Sequence, residues 1–440
     1  MNTYRLHCGL EVHIELNTDS KMFCGCRNAP FAAPSPNVYT CPVCLGLPGA
    51  LPVPNRRAIE MTLLLGAALG STLAEHSKFD RKHYFYPDLP KGYQITQYDF
   101  PLCAGGRLQT PQGEVRLRRV HLEEDTARNL HRTSANGTRK SLIDFNRSGV
   151  PLLELVTEPD ISSPEHAREF GKTLRSLVRY LGLSNADLER GEMRLEPSIS
   201  LSKDGRLPPY KVEIKNINSF GFLEKAIRYE MERQSELLDE GVTPAQETRG
   251  WNETKGITMS QRTKENAEDY RYFPDPDIPP LSLREVCTRV AASLPELPAA
   301  KVIRWEKTYG IEQRFGIFFC EEQKAAEKWD ALFGKLREAD VPIHECVKDI
   351  ANKKAAFTYE TPVKEIEAFY RAKKADVPSA GEITGAVARV IAGQAKAASD
   401  YRAGNENALK FLMGQVFKEL KTKSGAESIR EELIKALRKG

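Results

Sequence analysis

Four prolines in twelve residues, "YFPDPDIPPLSL" (272–283), divide this chain more firmly than any other feature. Proline lacks a backbone donor and clashes inside a helix, so the stretch is an extended, fixed segment or a boundary. Before it, residues 1–290 mix short strand-like runs with a few helices and many Pro/Gly turns. From about residue 291 the pattern is nearly all helical and rich in Ala, Lys and Glu. The 440 residues exceed one typical core, and roughly 150 residues per domain implies two or three.

In the first part, residues 163–182 predict a helix: Ser163 as N-cap, Pro164 in the first turn, a stripe of Phe170, Leu174, Leu177, Val178 and Leu181, and Gly182 as a stop. A second helix runs from about Phe220 to Glu240. Alternating segments at 9–16, 114–125, 193–202 and 210–219 predict strands. Strands gathered with crossing helices, without a βαβ rhythm, predict an α+β fold. The segments 408–425 and 428–439 predict a small helical bundle closing the chain.

No apolar run approaches the roughly 18–20 residues of a membrane helix. The best candidate, 61–74, is short and broken by glycines, and predicts a buried helix. The N-terminus enters a strand pattern without an apolar signal region, which predicts a cytoplasmic protein. A net charge of +4 permits a nucleic-acid partner without demanding one.

Nine cysteines are unevenly placed. Cys8, Cys103, Cys287, Cys320 and Cys346 are scattered and read as small buried hydrophobes. "CGC" (24–26) followed by "CPVC" (41–44) suits a tetrahedral four-thiolate zinc site of Cys24, Cys26, Cys41 and Cys44. A redox C-x-x-C would not need the second pair. Four-thiolate sites are closed, so the expected role is structural.

"GLEVHIEL" (9–16) turns Leu10, Val12, Ile14 and Leu16 to one face, and Glu11, His13 and Glu15 to the other. Glu154 sits inside an apolar strand pattern, Glu196 and Glu213 in two more, and Glu123, Glu124 and Asp125 close another. Each acid alone reads as solvated or salt-bridged. Repetition on strands that could share one sheet face favours a hard cation, Mg2+ or Mn2+, over zinc. The histidines at 7, 76, 121, 131, 166 and 344 carry no motif and read as surface or satisfied core residues.

Residues 78–102 gather Arg81, Lys82, His83 and Lys91 among tyrosines, phenylalanines and prolines, and Arg147 stands beside a glycine turn. The segment alone reads as a rigid aromatic loop; functionally, cations beside flat rings suit phosphate and base recognition. No GxxxxGK[ST] or GxGxxG occurs, which argues against a P-loop or Rossmann nucleotide site.

"GLEVHIEL", "SKMFCGC", "CPVCLGLPGALPVPN", "KHYFYPDLPKGYQITQ", "IDFNRSGVPLLELVTEPDI", "KVEIKNINSFGFLEKAIRYE" and "DYRYFPDPDIPP" occur in this order. Together they closely resemble the GatB/GatE family, the B subunits of aspartyl/glutamyl-tRNA amidotransferases, over nearly the whole chain. The resemblance implies a heterotrimer with an amidase partner, GatA, and a small partner, GatC. It implies ATP-dependent phosphorylation of the side-chain carboxylate of mischarged Glu-tRNA(Gln) or Asp-tRNA(Asn), then amidation by ammonia from GatA. It implies a cradle-like α+β catalytic domain over 1–290 with a mainly antiparallel sheet, a helical domain over 291–375 and a YqeY-like tail over 376–440 that holds tRNA. Glu11, His13, Glu124 and Glu154 would bind catalytic Mg2+, with Glu123 or Asp125 as alternatives within the acidic triplet. Arg81, Lys82, Tyr84 and Lys91, with Arg147, Glu196, Glu213 and Lys215, are the expected nucleotide contacts. The four cysteines match the zinc-binding version of the family.

This chain departs from many relatives in reading Leu195-Glu196 for a Cys-Asp pair, and "EEDTARN" for an EDxGK-like run. It has no room for the domain inserted in the archaeal GatE proteins. A rival reading of a different class is a zinc-stapled tRNA-binding scaffold with solvated acids. The two readings differ in whether the acids converge.

Overall fold

The computed structural model describes residues 4–134, 136–263, 270–375, 378–422 and 425–439. The chain forms two compact units: Met1–Lys301 with Cys320–Gln323, and Val302–Phe319 with Lys324–Gly440.

The first unit is built on a ten-stranded sheet. Arg5–Glu15 lies at its centre, paired antiparallel with Pro151–Thr157 on one side and Met193–Ser202 on the other. Gly113–Glu124 lies outside Pro151–Thr157, and Val212–Lys215 outside Met193–Ser202. Val212–Lys215 pairs in parallel with Glu247–Asn252, because the helix Phe220–Asp239 crosses between them. The other named pairings are antiparallel, and the α+β architecture is the one expected.

Strand period decides which face carries what. Leu10, Val12 and Ile14 are buried with Leu153, Leu155, Leu195 and Ile199 on one face. The helices Pro164–Tyr180 and Phe220–Asp239 cover that face. A Cβ on Gly171 would sit 2.8 Å from the Phe220 ring and 3.4 Å from Leu195, so only glycine lets the first helix pass that closely. Ser163 caps the first helix by accepting from the His166 N–H at 3.0 Å, as its sequence predicts. The opposite sheet face is left to polar side chains.

Glu230 anchors the second helix to the neighbouring strands. It is fully buried and takes Arg233 at 2.9 Å, Arg249 at 3.1 Å and the amide of Gln234 at 3.0 Å. Removing one partner of a buried pair strands the others. Glu230→Ala is therefore expected to cost about 3–5 kcal/mol, read by urea unfolding of the full chain.

In the second unit the helices are short and amphipathic. Trp305 is fully buried and meets Phe333 edge-on at 5.3 Å. Residues of Ala380–Gly393, Glu406–Leu420 and Ala426–Lys439 share one core of Ile383, Val387, Leu412, Val416, Ile429 and Leu433. Ser379 and Glu382 form a reciprocal capping box at its start. No helix among the described residues is long and apolar enough to cross a membrane.

Candidate active site and metal centre

Register places one residue of each central strand on the polar face beside its neighbour. His13 stands opposite Glu154 on one side and Arg194 on the other, Glu11 opposite Glu196, and Glu154 opposite His121. The result is a row of carboxylates and imidazoles. His13 Nε2 lies 3.4 Å from Glu154, 3.5 Å from Glu11 and 3.9 Å from Glu123. His121 Nε2 lies 3.5 Å from Glu154 and 3.7 Å from Glu123.

Two overlapping groups have ligand atoms within 4.8 Å of one another: Glu11, His13 and Glu196, and His13, Glu123 and Glu154. His13 belongs to both. Its Nδ1 is buried without a hydrogen-bond partner, so the ring is aimed by packing while Nε2 faces the carboxylates. A set of carboxylate oxygens with one imidazole fits a hard divalent cation.

The electrostatics follow from this crowding. Burial disfavours an ionised Glu154, yet the imidazole of His121 and the charge and hydrogen bond of His13 hold its carboxyl well below the ordinary range. Burial likewise opposes a charged His13, but Glu154, Glu196 and Glu11 push it up to about 9. Desolvation, followed by the charge of Glu154, pushes Glu11 up to about 7, although its side chain is 40% exposed at the lip.

Of the residues expected to hold a metal, Glu11, His13 and Glu154 come together and Glu124 does not. Glu124 accepts from the Ile95 backbone N–H at 3.0 Å and pairs with Lys91 at 2.6 Å. Glu123, its neighbour, faces the basin and is held by the Thr96 hydroxyl at 2.9 Å.

The expected nucleotide contacts divide similarly. Lys215 pairs with Glu196 at 2.5 Å and Glu213 at 3.1 Å. Lys82 lies 4.8 Å from the Tyr270 ring centre and 5.7 Å from that of Tyr84. Burial opposes the charge on Lys82, while the Tyr272 phenol and the carboxylates Glu123 and Glu154 raise it above the ordinary lysine range. These two ammonium groups face the row of acids. Arg81 instead clamps Asp275 and Asp277 at 2.8 and 2.9 Å, and Arg147 gives its donors to the Thr126 and Ala127 carbonyls.

Sequence reasoning missed His121 and Arg119, which lies 3.7 Å from Glu154, and named Glu123 only as an alternative to Glu124. It also took Glu15 for a wet carboxylate. Glu15 is only 5% exposed. Burial and then the charge of Asp125 push its carboxyl up, while Arg147 and Arg194 outweigh burial and hold Asp125 down. The two carboxyls are thus shifted in opposite directions, and Arg194 pairs with Asp125 at 2.7 Å.

Cys24, Cys26, Cys41 and Cys44 converge in a separate cluster of the same unit, with sulfurs within 4.8 Å of one another. The Cys41 backbone N–H donates to Cys44 Sγ at 3.1 Å. The hydrogen bond from Cys24 pulls the Cys44 thiol down to about 5 against burial, with help from Lys21. Lys21, fully buried, lies 3.7 Å from that sulfur and donates to the Tyr39 and Phe145 carbonyls at 2.7 and 3.1 Å. The set is compatible with structural zinc.

Residues 6–289 match the family model described as the GatB/GatE catalytic domain, and residues 345–437 match one described as a GatB domain. The chain belongs to the GatB family. Similar proteins include the B subunit of the aspartyl/glutamyl-tRNA(Asn/Gln) amidotransferase of Thermomicrobium roseum, 44% identical over 98% of each chain. That of Carboxydothermus hydrogenoformans is 39% identical over 100% of each. That of a Roseiflexus species is 40% identical over 99% of this chain and 98% of its own. The GatB match thus spans the acidic face, the cysteine cluster and the helical tail alike.

Proposed function

We propose that this chain uses ATP to phosphorylate the side-chain carboxylate of Glu-tRNA(Gln), Asp-tRNA(Asn) or both, and that ammonia from a glutaminase partner then displaces the phosphate to leave the amide. One observation carries the reading: acids and imidazoles from four strands meet on one polar sheet face, with two lysines facing them. The scaffold reading requires those acids to lie apart in solvent. A substrate carboxylate is already a nucleophile, so the chemistry needs charge neutralisation and positioning more than a general base.

In this reading Glu11, His13 and Glu154, with Glu123 in the place expected for Glu124, hold magnesium. A divalent cation held there would offset the negative charge of the phosphates. Lys82 and Lys215 supply further positive charge to the phosphates, and Tyr84 and Tyr270 offer flat surfaces beside Lys82. Glu124 fixes Lys91 and the Tyr93–Thr96 strand, and so positions the wall of the site rather than the ion. Arg147 and Arg81 brace neighbouring loops. The four cysteines hold zinc as a staple. The chain works with the amidase GatA and the small protein GatC in the cytoplasm, with residues 291–375 as a helical domain and 376–440 as a tail that holds tRNA.

The test is a reconstituted trimer given each mischarged tRNA, ATP and glutamine. Amidated product and ADP should form together for at least one tRNA. Amide formation without ATP consumption would contradict the reading.

A further inference from the structure

Immediately after the acidic triplet, Arg128–Thr133 and Arg139–Asp144 form a two-stranded ribbon. Neither strand joins the ten-stranded sheet. From Thr126 to Ile143 there are four cations, Arg128, Arg132, Arg139 and Lys140, and no acidic residue. All four are exposed. None has a salt bridge or side-chain hydrogen bond within the described residues.

The pairing is unusual. Lys140 stands directly opposite Arg132 across the ribbon. Like charges in that relation destabilise a two-stranded ribbon, and a second sheet layer does not compensate here. Asp144, which stands opposite Arg128 at the ribbon's foot, accepts from the backbone N–H groups of Asn37 and Asn146, both at 3.0 Å. The foot is fixed further by Arg147 on the Thr126 and Ala127 carbonyls, and by the Ala127 N–H on Asp88 at 2.9 Å. A base fixed by these hydrogen bonds therefore carries a ribbon whose outer cations, Arg132, Arg139 and Lys140, face no acid across the pair, directly after the strand that bears Glu123.

We propose that this ribbon is a docking element for the phosphate backbone of RNA, seated so that the RNA end reaches the acidic face. It rests on the proposed function and adds to it a tRNA contact within the catalytic unit. A phosphate lying across the strands meets Arg132 and Lys140 together, which turns their mutual repulsion into joint attraction. Each strand of six residues extends about 20 Å, long enough to track several nucleotides.

The experiment uses the full-length chain in its complete trimer with uncharged tRNA, with affinity measured by fluorescence anisotropy across a NaCl series. In an Arg132→Ala/Lys140→Ala double variant, affinity should fall roughly tenfold or more. The slope of log K against log salt should become shallower by about two, close to one per lost phosphate contact. Arg132→Lys should keep the parental slope. Parental affinity and slope in the double variant would overturn the ribbon proposal while leaving the proposed function in place. So would weakened trimer assembly with unchanged tRNA affinity of the trimer that does form, which would mark the ribbon as a protein-docking element. A parent trimer that binds no tRNA would overturn both.

Discussion

His13→Ala is expected to lower ATP-dependent phosphorylation of mischarged tRNA by at least about 10²-fold, with tRNA affinity changed by less than about twofold. His13 is the residue common to both candidate ligand groups, and its Nε2 sits between Glu11 and Glu154. Alanine removes the imidazole ligand and also the charge that holds Glu154 ionised. Three carboxylates would then face one another with His121, Lys82 and Arg119 left to balance them. Their mutual repulsion favours protonation, which further weakens a site for a divalent cation. The ribbon and the helical tail are untouched, so RNA binding is the internal control. Phosphoryl transfer measured beside tRNA affinity checks the prediction, and parental transfer rates would contradict it.

Cys41→Ser should lose zinc and lower the thermal midpoint by roughly 5 °C or more. Serine is close in size but offers no thiolate, so the cost is the lost metal rather than a packing defect. The effect should also reach the acidic face. Ser148 donates to the Cys44 carbonyl at 2.8 Å, and Lys21 binds the Phe145 carbonyl beside the cysteine cluster. The Met22 N–H binds the Gly149 carbonyl at 2.7 Å. This loop leads directly into Pro151–Thr157, the strand that presents Glu154. Loosening the staple should therefore reduce activity more than RNA binding. Elemental analysis with a melting curve decides the first part, and full zinc retention would contradict it.

Much of the fold was legible because period-two alternation survives in the central strands. Leu10, Val12 and Ile14 alternate with Glu11 and His13 without interruption, so the polar face of that strand could be read directly. The acidic triplet was different. In Gly113–Glu124, Val115 and Leu117 face the core, but so do Val120 and Leu122, which have the opposite parity. The register shift opposite Val156 and Thr157 leaves Arg118 as an extra residue, and this bulge turns His121 and Glu123 toward Glu154. Glu124 thereby falls on the other side. The doubled arginine in "LRRV", where alternation slips, is the signal that could have found His121 and chosen Glu123 over Glu124. Glu15 left no such trace. Its burial depends on Asp125 and Arg194, which two other segments bring in, and a single strand's pattern carries no information about them.

The departure at Leu195-Glu196 also has a physical setting. Leu195 is buried against the helices, and Glu196 stands on the polar face opposite Glu11. The longer acid reaches Lys215 at 2.5 Å, so this carboxylate and that ammonium form a fixed pair at the edge of the candidate site.

Transfer of the γ-phosphoryl group of labelled ATP to mischarged tRNA, with no ammonia source present, tests the central claim most directly. The trimer containing the parent chain should place label on Glu-tRNA(Gln) or Asp-tRNA(Asn), and the trimer containing Glu154→Gln should not, although it binds the same tRNA. Equal labelling by both, or no labelling by a parent trimer that nonetheless forms the amide, would contradict the proposed chemistry.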